Sequence, residues 1–121
     1  MRNYTKERDF VDLNLIFSNV DGICSKRLEI TDMLREKKPM VFCMVETKVK
    51  KEINLDLFGW EGYNIWRKDR KHKFGGGVCI LVHNSLRVKN IEIESDKAEV
   101  LAVEIATKED EKITVIVPLL S

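Results

Sequence analysis

Two stretches of this chain are apolar at every position: Met-Val-Phe-Cys-Met-Val over 40–45 and Val-Cys-Ile-Leu-Val over 78–82. Each is too short for a helix, and the first follows Pro39, so both read as strands. A strand with no polar face needs cover on both sides of its sheet, which demands a layered fold. Further strands are predicted at Val11–Ser18, Tyr63–Trp66, Arg87–Ile93, Val100–Ala106 and Ile113–Val117, with turn chemistry between them. Only Ser25–Lys38 makes a convincing helix, with Ser25 as its cap, Leu28, Ile30, Thr31, Met33 and Leu34 as its apolar stripe, and Pro39 as its stop. A helix of that length spans about 21 Å and cannot cover both faces of such a sheet. The fold class is therefore α/β, mostly one mixed β-sheet with one main helix. Short of cover, and closing on an apolar strand, the chain reads as truncated. Residues 1–10 form a charged N-terminal segment, and 11–121 form the domain.

The chain's 121 residues allow one domain, and 21 basic against 20 acidic side chains leave a net charge of +1. That balance neither favours nor excludes an anionic partner, so any such argument rests on local clusters. Cys24, Cys43 and Cys79 are odd in number and far apart, and with His72 and His83 they do not build a zinc site. Cys43 and Cys79 lie in apolar runs and read as small core residues, which points to a reducing compartment. The polar start from Met1 to Asp9 excludes a secretory h-region, and no apolar run reaches membrane-spanning length. The expectation is a soluble intracellular protein, nuclear or cytoplasmic.

Three segments could carry chemistry. Ser18-Asn19-Val20-Asp21-Gly22 follows the first strand, where α/β proteins place their ligands, although these are also common turn residues. Glu46-Thr47-Lys48 ends the buried strand, with a carboxylate suited to a hard cation and an ammonium suited to a phosphate. A strand–helix–strand crossover brings both strand ends to one rim. Arg67-Lys68-Asp69-Arg70-Lys71-His72-Lys73 holds five basic residues in seven and could follow a nucleic-acid backbone, or be a solvated loop. Gly75-Gly76-Gly77 after it matches no phosphate-binding motif and reads as a flexible connection. No triad forms around His83, and Trp60, Tyr63 and Trp66 read as packing residues rather than base-stacking ones.

In order, these segments resemble the endonuclease/exonuclease/phosphatase family, most of all the endonuclease domains encoded beside reverse transcriptases in non-LTR retrotransposons. The resemblance runs over about residues 12–118, through Leu-Asn-Leu-Ile-Phe-Ser-Asn-Val-Asp-Gly, Ser-Lys-Arg-Leu-Glu-Ile, Lys-Lys-Pro-Met-Val-Phe-Cys-Met-Val-Glu-Thr-Lys, Gly-Tyr-Asn-Ile-Trp-Arg-Lys-Asp-Arg and Gly-Gly-Gly-Val-Cys-Ile-Leu-Val. It implies half of a four-layer α/β sandwich with its site between two sheets. Asn19 and Asp21 match active-site positions of the family, and Glu46 matches its Mg²⁺-binding glutamate. Lys48, Arg67, Lys68, Arg70, Lys71 and Lys73 would meet nucleic acid, DNA before RNA.

There are departures. Ser18 replaces an aromatic residue, Val45 a glutamine, and Val117-Pro118-Leu119-Leu120 a tyrosine-proline motif, while the Gly-Asp-x-Asn motif and the terminal Asp-His pair do not occur. The resemblance thus implies the amino-terminal fragment of a Mg²⁺-dependent phosphodiester hydrolase, inactive alone and weak for Mg²⁺. Its partner would be the missing C-terminal half or a second copy on the exposed sheet face. The alternative is a non-catalytic nucleic-acid-binding or protein-interaction module built on that fold.

Overall fold

The structure, a computed structural model, describes residues 2–8, 11–69, 76–91, 100–106 and 111–118. Its strands are β1 (Arg2–Arg8), β2 (Val11–Asn19), β3 (Val41–Val45), β4 (Tyr63–Lys68), β5 (Val78–His83), β6 (Arg87–Ile91), β7 (Val100–Ala106) and β8 (Lys112–Pro118), with α1 at Arg27–Lys37. They build a five-stranded sheet in the order β1-β2-β3-β5-β4 and a three-stranded sheet in the order β6-β7-β8. Only β2 and β3 run parallel, joined by the crossover through α1, so the larger sheet is mixed as its sequence predicts.

The all-apolar runs follow from two-sided burial. Val41, Cys43 and Val45 of β3, with Val78, Ile80 and Val82 of β5, face the second sheet and pack on Leu101, Val103, Ile105, Val115 and Val117. The intervening Phe42, Met44, Cys79 and Leu81 face α1, against Ile30, Met33 and Leu34, with Trp60 filling in from the irregular segment. Phe42 is completely buried, and covering a side chain of that size contributes about 1.5–3 kcal/mol.

The cover that a single helix cannot supply comes from β6–β8. Counting helices misses it, because strands can split into two sheets that cover each other. Strands β3 and β5 therefore expose no apolar face. On the outer side of the smaller sheet Glu104 pairs with Lys112 at 3.5 Å, and Ile116 is exposed.

Three local expectations are corrected. The charged start contains β1, an edge strand antiparallel to β2, and charged residues are the usual dressing of an edge. Ser25 does not cap α1: the chain enters through a 3-10 turn at Cys24–Lys26, and the Ser25 hydroxyl donates to the Gly22 carbonyl at 3.2 Å. Leu28 is 79% exposed, because Ile30, Met33 and Leu34 define the buried stripe and Leu28 lies on the opposite side of the helix. The helix stops as expected. Lys38 takes a left-handed conformation, its N–H donates to the Leu34 carbonyl at 3.1 Å, and Pro39 follows.

Candidate active-site rim

Parallel pairing of β2 and β3 sets Asn19 opposite Val45, the residue before Glu46. The two chains stay joined beyond the strands. Val20 N–H donates to Val45 O at 3.1 Å, Gly22 N–H to Glu46 O at 2.8 Å, and Ile23 N–H to Thr47 O at 2.9 Å. Asn19, Asp21 and Glu46, expected at one rim from the crossover alone, are thus carried by two laced segments. Asn19 is exposed, and its Oδ1 accepts the Asp21 N–H at 3.1 Å, which tightens the turn. Glu46 is half-buried.

A third segment closes the rim from the other side. Thr47 N–H donates to Gly77 O at 3.3 Å, and Lys48 N–H donates to Gly76 O at 2.8 Å. Thr47 is fully buried, and its hydroxyl reaches Gly76 O at 3.5 Å. A Cβ on Gly77 would lie 2.3 Å from Thr47 Oγ1, and Gly77 has φ +95°. The flexible connection read from the glycines is therefore corrected: Gly76 and Gly77 are buried and bonded, and glycine is needed for close approach. Gly75 lies outside the described residues. Thr47, inside a candidate segment, and Gly77, read as part of a connection, have no role of their own in the sequence reading, and glycines running straight into a buried strand were the signal available.

Lys48 turns back across the rim, and its Nζ forms an ion pair with Asp21 Oδ1. The hydrogen bond from Lys48, then its charge, hold the Asp21 carboxyl below the usual carboxylate range. The same bond and the Asp21 charge hold Lys48 above the usual lysine range, with a smaller contribution from the charge of Glu46.

The predicted basic segment divides. Arg67 is occupied: its guanidinium donates to Ile53 O, to Lys50 O at 3.0 Å, and to both carboxylate oxygens of Asp69 at 2.8 and 3.3 Å. It braces the chain just after the rim. Lys68 is exposed and donates to Val100 O at 3.3 Å, tying the edge of the larger sheet to the smaller one. Arg70, Lys71 and Lys73 lie outside the described residues.

The aromatic residues pack. Trp60 is buried and its indole N–H donates to Thr31 Oγ1 at 3.2 Å, Tyr63 O–H donates to Pro39 O at 2.7 Å, and Trp66 lies half-buried against the inter-sheet core. His83 Nδ1 accepts the Ser85 N–H at 3.2 Å and lies 2.8 Å from the Ser85 hydroxyl.

The rim's donors are a carboxamide and two carboxylates, all oxygen. That set suits a hard cation that keeps most of its own water, and it lacks the thiolate and imidazole ligands that select zinc. Among the described residues no group of three or more His, Cys, Asp or Glu side chains could hold a metal. Such a cation would thus rest on one or two carboxylates.

Two solved structures are similar to this chain in fold. One is an AP endonuclease from Archaeoglobus fulgidus, with 25% sequence identity and a TM-score of 0.64 over 78% of this chain. The other is the catalytic domain of human Nocturnin with bound sulfate anion, with 11% identity and a TM-score of 0.62 over 97% of this chain. Both have the endonuclease/exonuclease/phosphatase-like fold. This chain shares that fold. It spans 37% of the first neighbour and 52% of the second. No protein-family model matches it, and no curated protein matches it. Among the described residues, no helix is long and apolar enough to cross a membrane.

Proposed function

We propose that this chain supplies the amino-terminal part of the catalytic rim of a Mg²⁺-dependent phosphodiesterase acting on nucleic acid, DNA before RNA, of the retrotransposon endonuclease type. One observation carries the proposal: the laced ends of parallel strands β2 and β3 present Asn19, Asp21 and Glu46 together. Glu46 would hold the ion, with Asn19 and Asp21 beside it and Lys48 placed to meet a phosphate, and a bound Mg²⁺ would stabilise charge on the scissile phosphate. The Arg-Lys-Asp-Arg to Gly-Gly-Gly-Val stretch supports the retrotransposon type. Arg70, Lys71 and Lys73 are the candidate phosphate contacts, since Arg67 is committed to Lys50, Ile53 and Asp69.

Without a Gly-Asp-x-Asn motif or an Asp-His pair, the chain alone is expected not to hydrolyse, because catalytic groups that act as a unit fail together. Three measurements test this. Mn²⁺ should broaden the amide resonances of residues 19–22 and 46–48, and Glu46→Gln should abolish the effect. Duplex DNA should bind with a steep salt dependence that Lys71→Glu/Lys73→Glu flattens. Supercoiled plasmid in Mg²⁺ should stay intact, and nicking that survives Glu46→Gln would overturn the assignment of the site.

A second reading, a non-catalytic binding module, is favoured by the closed core: both faces of β3 and β5 are covered by this chain's own residues. It predicts a monodisperse species that unfolds cooperatively and binds DNA equally well with and without the divalent ion.

A further inference from the structure

Asp21, Glu46 and Lys48 share an uncommon backbone. Four non-glycine residues among those described have a left-handed φ, and three of them stand on this rim: Asp21 at 46°, Glu46 at 56° and Lys48 at 48°. Side-chain-bearing residues rarely adopt that conformation, because Cβ crowds the following carbonyl. Asp tolerates it more than most and is held at Asp21 by a bond within the turn, whereas at Glu46 and Lys48 bonds across the rim hold the shape. The Asp21 N–H is fixed on Asn19 Oδ1, the Lys48 N–H on Gly76 O, and the Glu46 carbonyl on the Gly22 N–H. Both backbones that carry the Asp21–Lys48 ion pair are anchored by hydrogen bonds of their own. The pair is a built feature of the rim rather than a chance surface contact.

Its position decides what it does. The Lys48 ammonium contacts Asp21, so the cation sits on one of the two carboxylates of the rim. The three side chains sum to a charge of −1 with Lys48 and −2 without it. The Lys48 and Asp21 side chains are 44% and 69% exposed, so the pair can open to solvent without unfolding the rim.

We infer that Lys48 is a resident counter-ion of Asp21 that competes with a divalent cation for this rim and sets the ion's affinity low. An ammonium and a divalent ion beside one carboxylate repel each other, so they share it by exchange rather than together. The two roles open to Lys48 are then exclusive, for it either neutralises Asp21 or turns outward to an anion. This inference rests on the reading of Asn19, Asp21 and Glu46 as a hard-cation site.

The test is a titration of the full 121-residue chain with Mn²⁺ alone, following free ion by electron paramagnetic resonance. Lys48→Met, and independently Lys48→Gln, should bind Mn²⁺ about three- to tenfold more tightly than the wild type, the scale expected on removing one partly screened charge. Lys48→Arg should bind like the wild type, because it keeps the charge. In an Asp21→Asn background the gain from Lys48→Met should disappear. Neutral variants that bind no more tightly than the wild type, or a gain that survives Asp21→Asn, would overturn the competition. Failure of the underlying site looks different: Glu46→Gln would bind as tightly as the wild type. If no variant binds Mn²⁺, both readings fall.

Discussion

Gly77 faces Thr47 so closely that a Cβ on the glycine would stand 2.3 Å from the threonine hydroxyl. Gly77→Ala should therefore destabilise the fold, through this clash and through its positive φ, by about 1–3 kcal/mol. The urea midpoint should fall accordingly. In Thr47→Ala/Gly77→Ala the closest remaining contact is a backbone one at 3.6 Å, so the double variant should regain part of the loss and leave only the backbone strain. Equal midpoints for the single and double variants would remove the steric explanation.

Asp21 and Lys48 should give the rim a pH-dependent stability with a flat top. Asp21 is held below its ordinary 3.8, so its contribution is present above that pH and is lost as pH falls through its lowered folded value. Lys48 is held above its ordinary 10.5, so its contribution is present below that pH and fades as pH rises through its raised folded value. The stability difference between wild type and Asp21→Asn should be constant across the neutral range and vanish in acid. Both side chains meet solvent, so high salt should shrink the difference at neutral pH. A difference that grows in acid contradicts this pairing.

Ser18 Oγ is fully buried and finds no hydrogen-bond partner among the described residues. An unpaired buried hydroxyl carries its desolvation cost with no return, so Ser18→Ala should stabilise the chain by about 1 kcal/mol. Thermal unfolding of the two proteins measures this. Destabilisation by alanine would instead place a bonding partner, such as an ordered water, beside the hydroxyl.

The sequence made the strands legible where burial is two-sided. The runs 40–45 and 78–82 are apolar at every position because alternate residues meet α1 and the second sheet. The crossover also predicted a shared rim for Asn19 and Glu46. What stayed hidden depends on partners distant in the chain. β1 has no apolar alternation to betray it, since an edge strand tolerates charge. Arg67 donates to the Lys50 and Ile53 carbonyls, partners that no local pattern names. The Asp21–Lys48 pair spans 27 residues, and the left-handed backbone at Lys48 is one that its side chain does not favour. Strand content follows from local pattern, whereas the division into two sheets is a pairing choice made at long range.

The cysteines separate by burial, and thiol chemistry should follow. Cys43 is buried, and desolvation pushes its thiol up to about 12. Cys79 is wholly enclosed and pushed up still further, by the same desolvation. Cys24 is exposed in the turn before α1. The thiolate is the reacting form, so at mildly alkaline pH a disulfide reagent should titrate Cys24 alone in the native chain. In concentrated guanidinium all three cysteines should react. The slow phase for Cys43 and Cys79 then measures opening of the two cores, because their strands must separate from the second sheet or from α1 before reagent enters. Phe42→Ala removes a fully buried ring from the core facing α1 and should accelerate that phase by lowering stability about 3–5 kcal/mol. Rapid native labelling of all three thiols would mean that the sheets do not cover each other in solution.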